Sequence, residues 1–184
     1  AVVDGIATLL RSLTARNTVC RPDLGHAWVF GDPAQLRQVI VNLVTNASEA
    51  LDGKPGEVTL CTGIREVTAD DLAACVVNAD LVPGRCAFIE VADTGPGMSR
   101  ETMERIFDPF FTTKFTGRGL GLSAVLGIVR HHGGALRVVS TAGHGSTFTV
   151  WLPLAAAPEA AATPAGPHLA EARLSGSVLV VDDE

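Results

Sequence analysis

Two asparagines, Asn42 and Asn46, lie four residues apart in a segment whose apolar residues recur at helical intervals. Residues with this spacing share one face of a helix, so both amides are expected to point the same way. Asparagine is a poor helix former because its amide competes for backbone hydrogen bonds. An amide oxygen is a suitable hard ligand for Mg²⁺. The alternative is a solvated polar face on an amphipathic helix, and the helix alone leaves both interpretations open.

A carboxylate and two glycines follow a strand-like segment, in the run Asp93-Thr-Gly95-Pro-Gly97. A carboxylate at a strand end can accept a hydrogen bond from an exocyclic amine such as that of adenine. The glycines would let the backbone approach a planar group closely. A plain aspartate-glycine turn is the alternative, and this motif alone does not decide between them.

A glycine-rich run, Gly117-Arg118-Gly119-Leu120-Gly121-Leu122, leads into a helical pattern that ends at Gly133-Gly134. Glycines that open a helix leave backbone N–H groups free at the positive end of the helix dipole, which favours phosphate. The run does not match a Walker A loop, because the sequence contains no Gly-Lys-Ser or Gly-Lys-Thr. Many runs of this kind are only flexible turns.

Three of the seven phenylalanines fall between these glycine motifs, at Phe107, Phe110 and Phe111. They lie beside a proline and the glycine-rich run. One interpretation is a small satellite core under a loop. The other is a hinged lid that its aromatic side chains hold down.

The helix that carries the asparagines has a clear start. Asp32 is a candidate N-cap, Pro33 suits the first helical position, and Gln35 completes a capping-box spacing. The pattern predicts a helix over 33–51. Its core stripe is predicted to consist of Leu36, Val39, Ile40, Leu43, Val44, Ala47 and Leu51.

The remaining elements are predicted from β-branched, alternating or helical patterns. Strands are expected at 57–63, 86–92, 135–141 and 146–152, and further helices at 1–14 and about 120–132. The last two strands flank Gly143-His-Gly145, which indicates a hairpin. Together these elements predict an α/β (α+β) two-layer sandwich, a mixed sheet with helices on one face.

Composition narrows the function classes. The 184 residues suit one domain and a little extra. With 14 basic and 20 acidic residues the net charge is −6, which argues against nucleic acid as a partner. No apolar run approaches the ~20 residues that cross a bilayer, and no signal-peptide pattern is present. The four cysteines lack C-x-x-C spacing, so we expect reduced thiols, a cytoplasmic setting and no membrane contact.

Taken in order, the motifs resemble the N, G1, F, G2 and G3 boxes of the catalytic ATP-binding domain of sensor histidine kinases. The matching runs are 42–50, 93–97, 107–111, 117–122 and 143–147. The resemblance covers roughly residues 1–154. It implies the Bergerat fold of the GHKL superfamily, with a largely antiparallel sheet and ATP bound between the helices and a flexible lid. That lid would span about 99–118.

The resemblance also implies roles for the individual residues. Asn46 would bind Mg²⁺, and Asn42 would support the metal and phosphate region. Asp93 would accept from the adenine amino group, while Gly95 and Gly97 would shape that pocket.

The phosphate end of the lid would be formed by the G2 box. Its glycines are Gly117, Gly119 and Gly121, with Leu120 and Leu122 between and after them. Thr147 in the last box would lie near the adenine end.

Glu49 departs from the family pattern, since many relatives carry a basic residue three positions after the metal-binding asparagine. Neutralising the phosphates would then fall to Mg²⁺ with Lys114 or Arg118. The sequence does not choose between these two cations.

The C-terminal part differs in character. Residues 155–176 form an Ala/Pro-rich stretch typical of a linker. Residues 177–184 resemble the first strand and the acidic pair, Asp182 and Asp183, of a receiver domain. The parent would then be a hybrid histidine kinase, a homodimer through absent helices, while this chain alone is expected to be a monomer.

The motifs are compatible with three functions: phosphotransfer, GHKL-type ATP hydrolysis, and a degenerate nucleotide-binding regulator. Hydrolysing relatives place a glutamate base where this chain has Asn42, and an amide cannot accept a proton, which favours phosphotransfer. None of the five histidines precedes an acidic residue. We therefore expect no catalytic residue in this chain, and a phosphoacceptor histidine in a separate dimerisation domain.

Overall fold

The computed structural model describes residues 18–113 and 119–156, and it describes side chains from residue 23 onward. Six strands lie within these ranges. They are β1 (Thr18–Leu24), β2 (Gly56–Val67), β3 (Val77–Asn78), β4 (Gly84–Asp93), β5 (Ala135–Thr141) and β6 (Gly145–Pro153). The helices are α1 (Pro33–Ala50), α2 (Ala69–Ala73), α3 (Arg100–Arg105) and α4 (Gly121–His131).

The strands form one sheet in the order β1-β2-β4-β6-β5-β3. Only the β1–β2 pair is parallel among these strands, and the other four pairs are antiparallel. The two-layer, mixed and largely antiparallel architecture expected from the sequence is confirmed. The helix expected at 1–14, most of the linker and the strand expected near the C-terminus lie outside the described residues.

The start of α1 follows its capping residues. The Asp32 carboxylate accepts a hydrogen bond from the Ala34 N–H at 2.8 Å, and Pro33 occupies the first turn. All seven residues of the predicted core stripe are buried, with Leu43 and Val44 fully inaccessible. The apolar spacing therefore fixed which face of α1 packs on the sheet.

Strand register places alternate residues on opposite faces of the sheet. On the inner face, Leu60 pairs with Val91, and Val91 pairs with Phe148. These residues form the main core together with α1 and with Val125 and Val129 of α4.

The outer face carries a second, smaller apolar cluster. Trp151 pairs there with Phe88 and Ala135. The cluster consists of Val67, Leu72, Leu81, Cys86, Ala135 and Trp151. Helix α2 supplies Leu72 to this cluster, so α2 partly covers the outer face. The sequence predicts helices on one face only, and α2 is an exception to that prediction.

Helix α2 is held by polar contacts at its start. Thr68 and Asp71 form a capping box, in which each side chain accepts from the other residue's backbone N–H. The Asp71 carboxylate also accepts from the Arg137 guanidinium on β5 at 3.0 Å.

In the described ranges no helix combines the length and the apolar character that a membrane span requires.

Candidate functional site

A cavity of about 610 Å³ opens between α1, the start of α4 and the segment that contains α3. Its wall brings together residues from all five motifs singled out in the sequence. The lining residues are Val41, Asn42, Thr45, Asn46, Glu49, Ala50, Asp93, Met98, Thr102, Ile106, Phe111, Thr112, Thr113, Gly119, Leu120, Gly121, Leu122 and Ser146.

Both asparagines of α1 face this cavity and are half-buried. The Asn42 side-chain N–H donates to the backbone carbonyl of Gly121 at 3.2 Å. One amide therefore joins the middle of α1 to the first residue of α4. Asn46, one turn further along, and exposed Glu49 line the same wall.

Asp93 ends β4 at the opposite end of the cavity and is only 8% exposed. One of its carboxylate oxygens accepts the Gly95 N–H at 2.8 Å. A Cβ at position 95 would lie 2.8 Å from that oxygen and 3.3 Å from the Ala50 carbonyl, so a larger residue would displace the carboxylate. Burial and this backbone bond leave Asp93 with a fixed orientation.

Gly97 packs the same loop against the β5–β6 hairpin. Its φ of +63° lies in the left-handed region, and a Cβ there would collide with the Thr141 carbonyl. The neighbouring Met98 N–H donates to the Ser140 hydroxyl at 2.9 Å. Gly95 and Gly97 thus hold the loop in place behind the cavity wall.

The hydroxyl beside Asp93 belongs to Ser146 rather than to Thr147. Ser146 pairs with Asp93 across β4 and β6, is buried, and lines the cavity. Thr147 pairs with Ala92, one residue out of phase, and is therefore on the outer face of the sheet. The structure does not bring Thr147 to the cavity. The alternation of the strand could have indicated this, because Phe148 and Ser146 must share the face opposite to Thr147.

The start of α4 lies at the end of the cavity near the asparagines. Leu120 is the N-cap, and among the described residues no side chain caps the helix. Gly121 and Leu122 line the cavity, so the uncapped N–H groups of this first turn lie at the cavity wall. The N–H groups of a first helical turn and the positive end of the helix dipole favour a bound anion.

Gly119 joins the start of α4 to residues 107–111, the phenylalanine segment. It accepts the Phe110 N–H at 3.0 Å, and at its φ of +65° a Cβ would collide with Phe110. Phe107 and Phe111 pack against the main core, and the Arg105 guanidinium lies 4.4 Å from the centre of the Phe111 ring. Phe110 is 75% exposed and has a φ of +67°. The aromatic anchoring of this segment is therefore shared by two of its three phenylalanines.

Three predicted site residues lie outside the described part: Lys114, Gly117 and Arg118. The sequence also missed part of the wall, since α3 and the flanking Met98 and Ile106 were not predicted. Ser99, whose hydroxyl accepts the Thr102 N–H at 3.2 Å, is an N-cap that could have indicated α3.

A six-stranded, largely antiparallel sheet with two long helices, and a cavity formed by α1, the end of β4 and a glycine-rich helix start, define an ATP-binding sandwich of the GHKL type. Residues 31–156 match the family described as histidine kinase-, DNA gyrase B- and HSP90-like ATPases. The chain belongs to this family.

The similar proteins are sensor kinases. The chain is 37% identical over 194 residues to the sensor kinase CckA of Brucella abortus, covering all of this chain and 20% of CckA. It is 42% identical over 126 residues to the sensor histidine kinase ZraS of Escherichia coli K12, covering 68% of this chain and 23% of ZraS. A crystal structure of full-length ShkA in complex with AMPPNP is 25% identical with a TM-score of 0.64, covering 85% of this chain and 30% of that one.

The chain therefore contains the catalytic ATP-binding domain of a sensor histidine kinase, as its motifs indicated. It spans about a fifth to a quarter of the length of these curated relatives.

Proposed function

We propose that this domain binds Mg²⁺-ATP in the 610 Å³ cavity and donates the γ-phosphate to a histidine of a separate dimerisation domain. The observation that carries the proposal is the convergence of Asp93, the asparagine pair and the uncapped start of α4 on one cavity. A hydrogen-bond acceptor lies at one end and an anion site at the other. That arrangement suits a nucleotide whose base and phosphates need opposite chemistry.

The adenine end is assigned to Asp93. A buried carboxylate accepts hydrogen bonds and cannot donate them, so it suits the adenine amino group and not the guanine carbonyl. The Gly95 N–H holds this carboxylate, and Ser146 adds a hydroxyl on the same face. Met98 and Ile106 supply apolar surface for the flat base.

The phosphate end is assigned to α1 and α4. The amide oxygen of Asn46 is a hard donor of the kind Mg²⁺ accepts, and one protein ligand suffices because the ion also binds phosphate oxygens and water. The Mg²⁺ would neutralise phosphate charge. Asn42 fixes the start of α4 beside Asn46, so the helix N–H groups meet the phosphates. Glu49 adds negative charge to this wall, which Lys114 or Arg118 would offset.

Transfer to a histidine is favoured over hydrolysis by the chemistry of Asn42. Its amide donates to Gly121 and is not a base, so no proton acceptor for water is present at that position. GHKL-type hydrolysis would need a base elsewhere in the cavity, and Glu49 is the candidate. A regulator without chemistry is a further alternative.

The domain organisation is proposed along the same lines. Residues 1–154 would form the ATP-binding domain, 155–176 a linker and 177–184 the first strand of a receiver domain. Support comes from CckA, because the similarity to it extends over the whole chain, including residues beyond 156. The partners would be the dimerisation domain and the receiver of the same parent, a homodimer that uses ATP in the cytoplasm.

The test is to incubate the chain with γ-labelled ATP, Mg²⁺ and a separately produced dimerisation domain from the same parent. We expect label on that domain that is stable to base and lost in acid, as phosphohistidine requires. The control is the same domain with its acceptor histidine replaced by alanine. Label that appears in neither sample would contradict phosphotransfer, and release of inorganic phosphate instead would favour hydrolysis.

A further inference from the structure

Helix α4 is joined to α1 by hydrogen bonds at both of its ends. At its start, the Asn42 amide donates to the Gly121 carbonyl at 3.2 Å. At its end, the His132 ring meets the cap of α1. Nε2 of His132 lies 3.2 Å from the Asp32 backbone nitrogen, and Nδ1 lies 2.8 Å from the Ile128 carbonyl oxygen.

These contacts fix the roles of the two ring nitrogens. A carbonyl oxygen only accepts, so Nδ1 carries the proton and donates to Ile128. Nε2 is then unprotonated and accepts the Asp32 N–H. As the N-cap of α1, Asp32 uses its carboxylate for Ala34 and its carbonyl for Leu36. Its N–H points away from the helix and needs an acceptor, which the histidine supplies.

Glycine at position 31 makes room for this ring. A Cβ there would lie 2.6 Å from Nε2 of His132 and would collide with the adjacent ring carbon. The backbone of Gly31-Asp32 is therefore in close contact with the histidine on two sides, through a steric fit and a hydrogen bond. Neither Gly31 nor His132 is among the residues that line the 610 Å³ cavity.

We infer that His132 is a positioning residue for nucleotide binding, because it sets the register of α4 along α1. Apolar contacts of Val125 and Val129 hold α4 on the core, but such contacts are non-directional. Two directional bonds, one at each end, fix how far α4 lies along its own axis. A displacement at His132 passes along 11 rigid residues to the first-turn N–H groups that face the phosphates.

This inference rests on the proposed function, since it assigns those N–H groups to phosphate binding. It predicts that the chemistry of one ring atom matters. His132→Gln keeps an acceptor near the position of Nε2, whereas His132→Asn keeps only a donor near the position of Nδ1. A side chain needed solely for packing would make no such distinction between the two amides.

The experiment measures Mg²⁺-ADP affinity by calorimetry for both variants, with His131→Gln as the control. His131 is an exposed neighbour at the end of the same helix. We expect His132→Asn to weaken binding about 3- to 10-fold, as for loss of one hydrogen bond. His132→Gln should recover most of the affinity, and His131→Gln should bind as the parent does. Equal losses in the two His132 variants would overturn the inference.

A double-mutant cycle tests the same contact from its other side. Gly31→Ala alone should weaken binding, because its Cβ displaces the ring. In a His132→Ala background the same change should cost little, giving clear non-additivity. Additive effects would show that Gly31 and His132 act separately and would overturn the inference.

Hydrogen exchange separates this inference from the proposed function. Without nucleotide, His132→Asn should speed exchange of the N–H groups in the first turn of α4, and His132→Gln should not. If the parent chain binds no Mg²⁺-nucleotide, the proposed function fails, while this exchange result still decides whether His132 fixes α4. Unchanged exchange in His132→Asn would overturn the inference even where nucleotide binds.

Discussion

Asn46 is the residue on which the proposed metal dependence rests. Asn46→Ala removes the amide oxygen, whereas Asn46→Asp keeps an oxygen at the same place. Loss of an interaction with a charged group costs about 1.5–3 kcal/mol, so the alanine variant should bind Mg²⁺-ADP about 10- to 100-fold more weakly. Titrations with and without Mg²⁺ provide the measurement. A variant that keeps the full Mg²⁺ dependence of the parent would remove Asn46 from the metal site.

Asp93 carries the proposed selectivity for adenine. Asp93→Asn turns an acceptor into a mixed donor and acceptor, so it should weaken ATP and reduce the preference for ATP over GTP. The loss is about 1.5–3 kcal/mol for a hydrogen bond to a charged group. Competition between the two nucleotides measures the preference. If the variant binds ATP as the parent does, the carboxylate serves only the turn that it forms with Gly95.

Sequence reasoning at this scale located residues whose place is set by a regular element, while their roles stay predictions. Asn42, Asn46 and Asp93 all reach the cavity. It failed between Ser146 and Thr147, because two adjacent hydroxyls differ only in the face of the sheet they occupy. It could not foresee the His132–Asp32 contact, which joins residues 100 positions apart.

At the scale of helices and strands, elements with a local sequence signal were predicted, and elements that depend on tertiary contacts were not. The stripe of α1 and the strand β5 were predicted because periodic apolar residues and β-branched runs are local signals. Strand β1 was not predicted. Its sequence contains Pro22, which weakens a strand assignment, and its pairing with β2 is a tertiary contact. Helices α2 and α3 span 5 and 6 residues, too few for a helical period to be visible.

Helix α2 gives the fold a pH-sensitive anchor. Hydrogen bonds from the Thr68 side chain and backbone lower the pKa of Asp71 below its usual 3.8, and nearby Arg137 adds to the effect. A lowered folded-state pKa means that this contribution to stability is present above about pH 4. It is lost as the pH falls through the lowered value. Asp71→Asn should therefore lower the Tm more at pH 7 than at pH 2.

The measurement is the Tm of parent and variant across that pH range. Asp70→Asn, one residue earlier on the same helix and exposed, is the control and should change the Tm little at either pH. A Tm difference for Asp71→Asn that stays constant from pH 7 to pH 2 would contradict the charge-based account.

The phenylalanine segment should respond to nucleotide. Phe111, Thr112 and Thr113 line the cavity, and both threonines are exposed. Bound nucleotide would therefore add contacts on this side of the cavity. Hydrogen exchange of residues 110–113 and 119–122 should slow when Mg²⁺-ADP is added. Residues 135–137 of β5, which pair with residues 149–151 of β6 and do not line the cavity, serve as the internal control. Equal protection with and without nucleotide would mean a static loop rather than a lid.

At the scale of the whole molecule, the sheet and the helices divide the proposed work. The proposed adenine end lies at β4 and β6 of the sheet, and the proposed phosphate end lies at the helices α1 and α4. Loop glycines join the two ends, because a Cβ at residue 95 would lie 2.8 Å from the Asp93 carboxylate and a Cβ at residue 97 would collide with the Thr141 carbonyl. Nucleotide at a hundredfold excess over its Kd should stabilise such a fold by about 2.7 kcal/mol.

The residue types of the whole chain also predict which reactions it does not carry out alone. With Asn42 where hydrolysing relatives carry a base, and with no histidine followed by an acid, the chain should show neither appreciable steady-state ATP hydrolysis nor autophosphorylation. Phosphate release and incorporation of γ-label are the two measurements. Adding the dimerisation domain should produce phosphorylation on a histidine of that added domain. Robust turnover by the chain alone, abolished by changing Asn42 or Glu49, would instead favour the ATPase, because one of these side chains would then be positioning the attacking water.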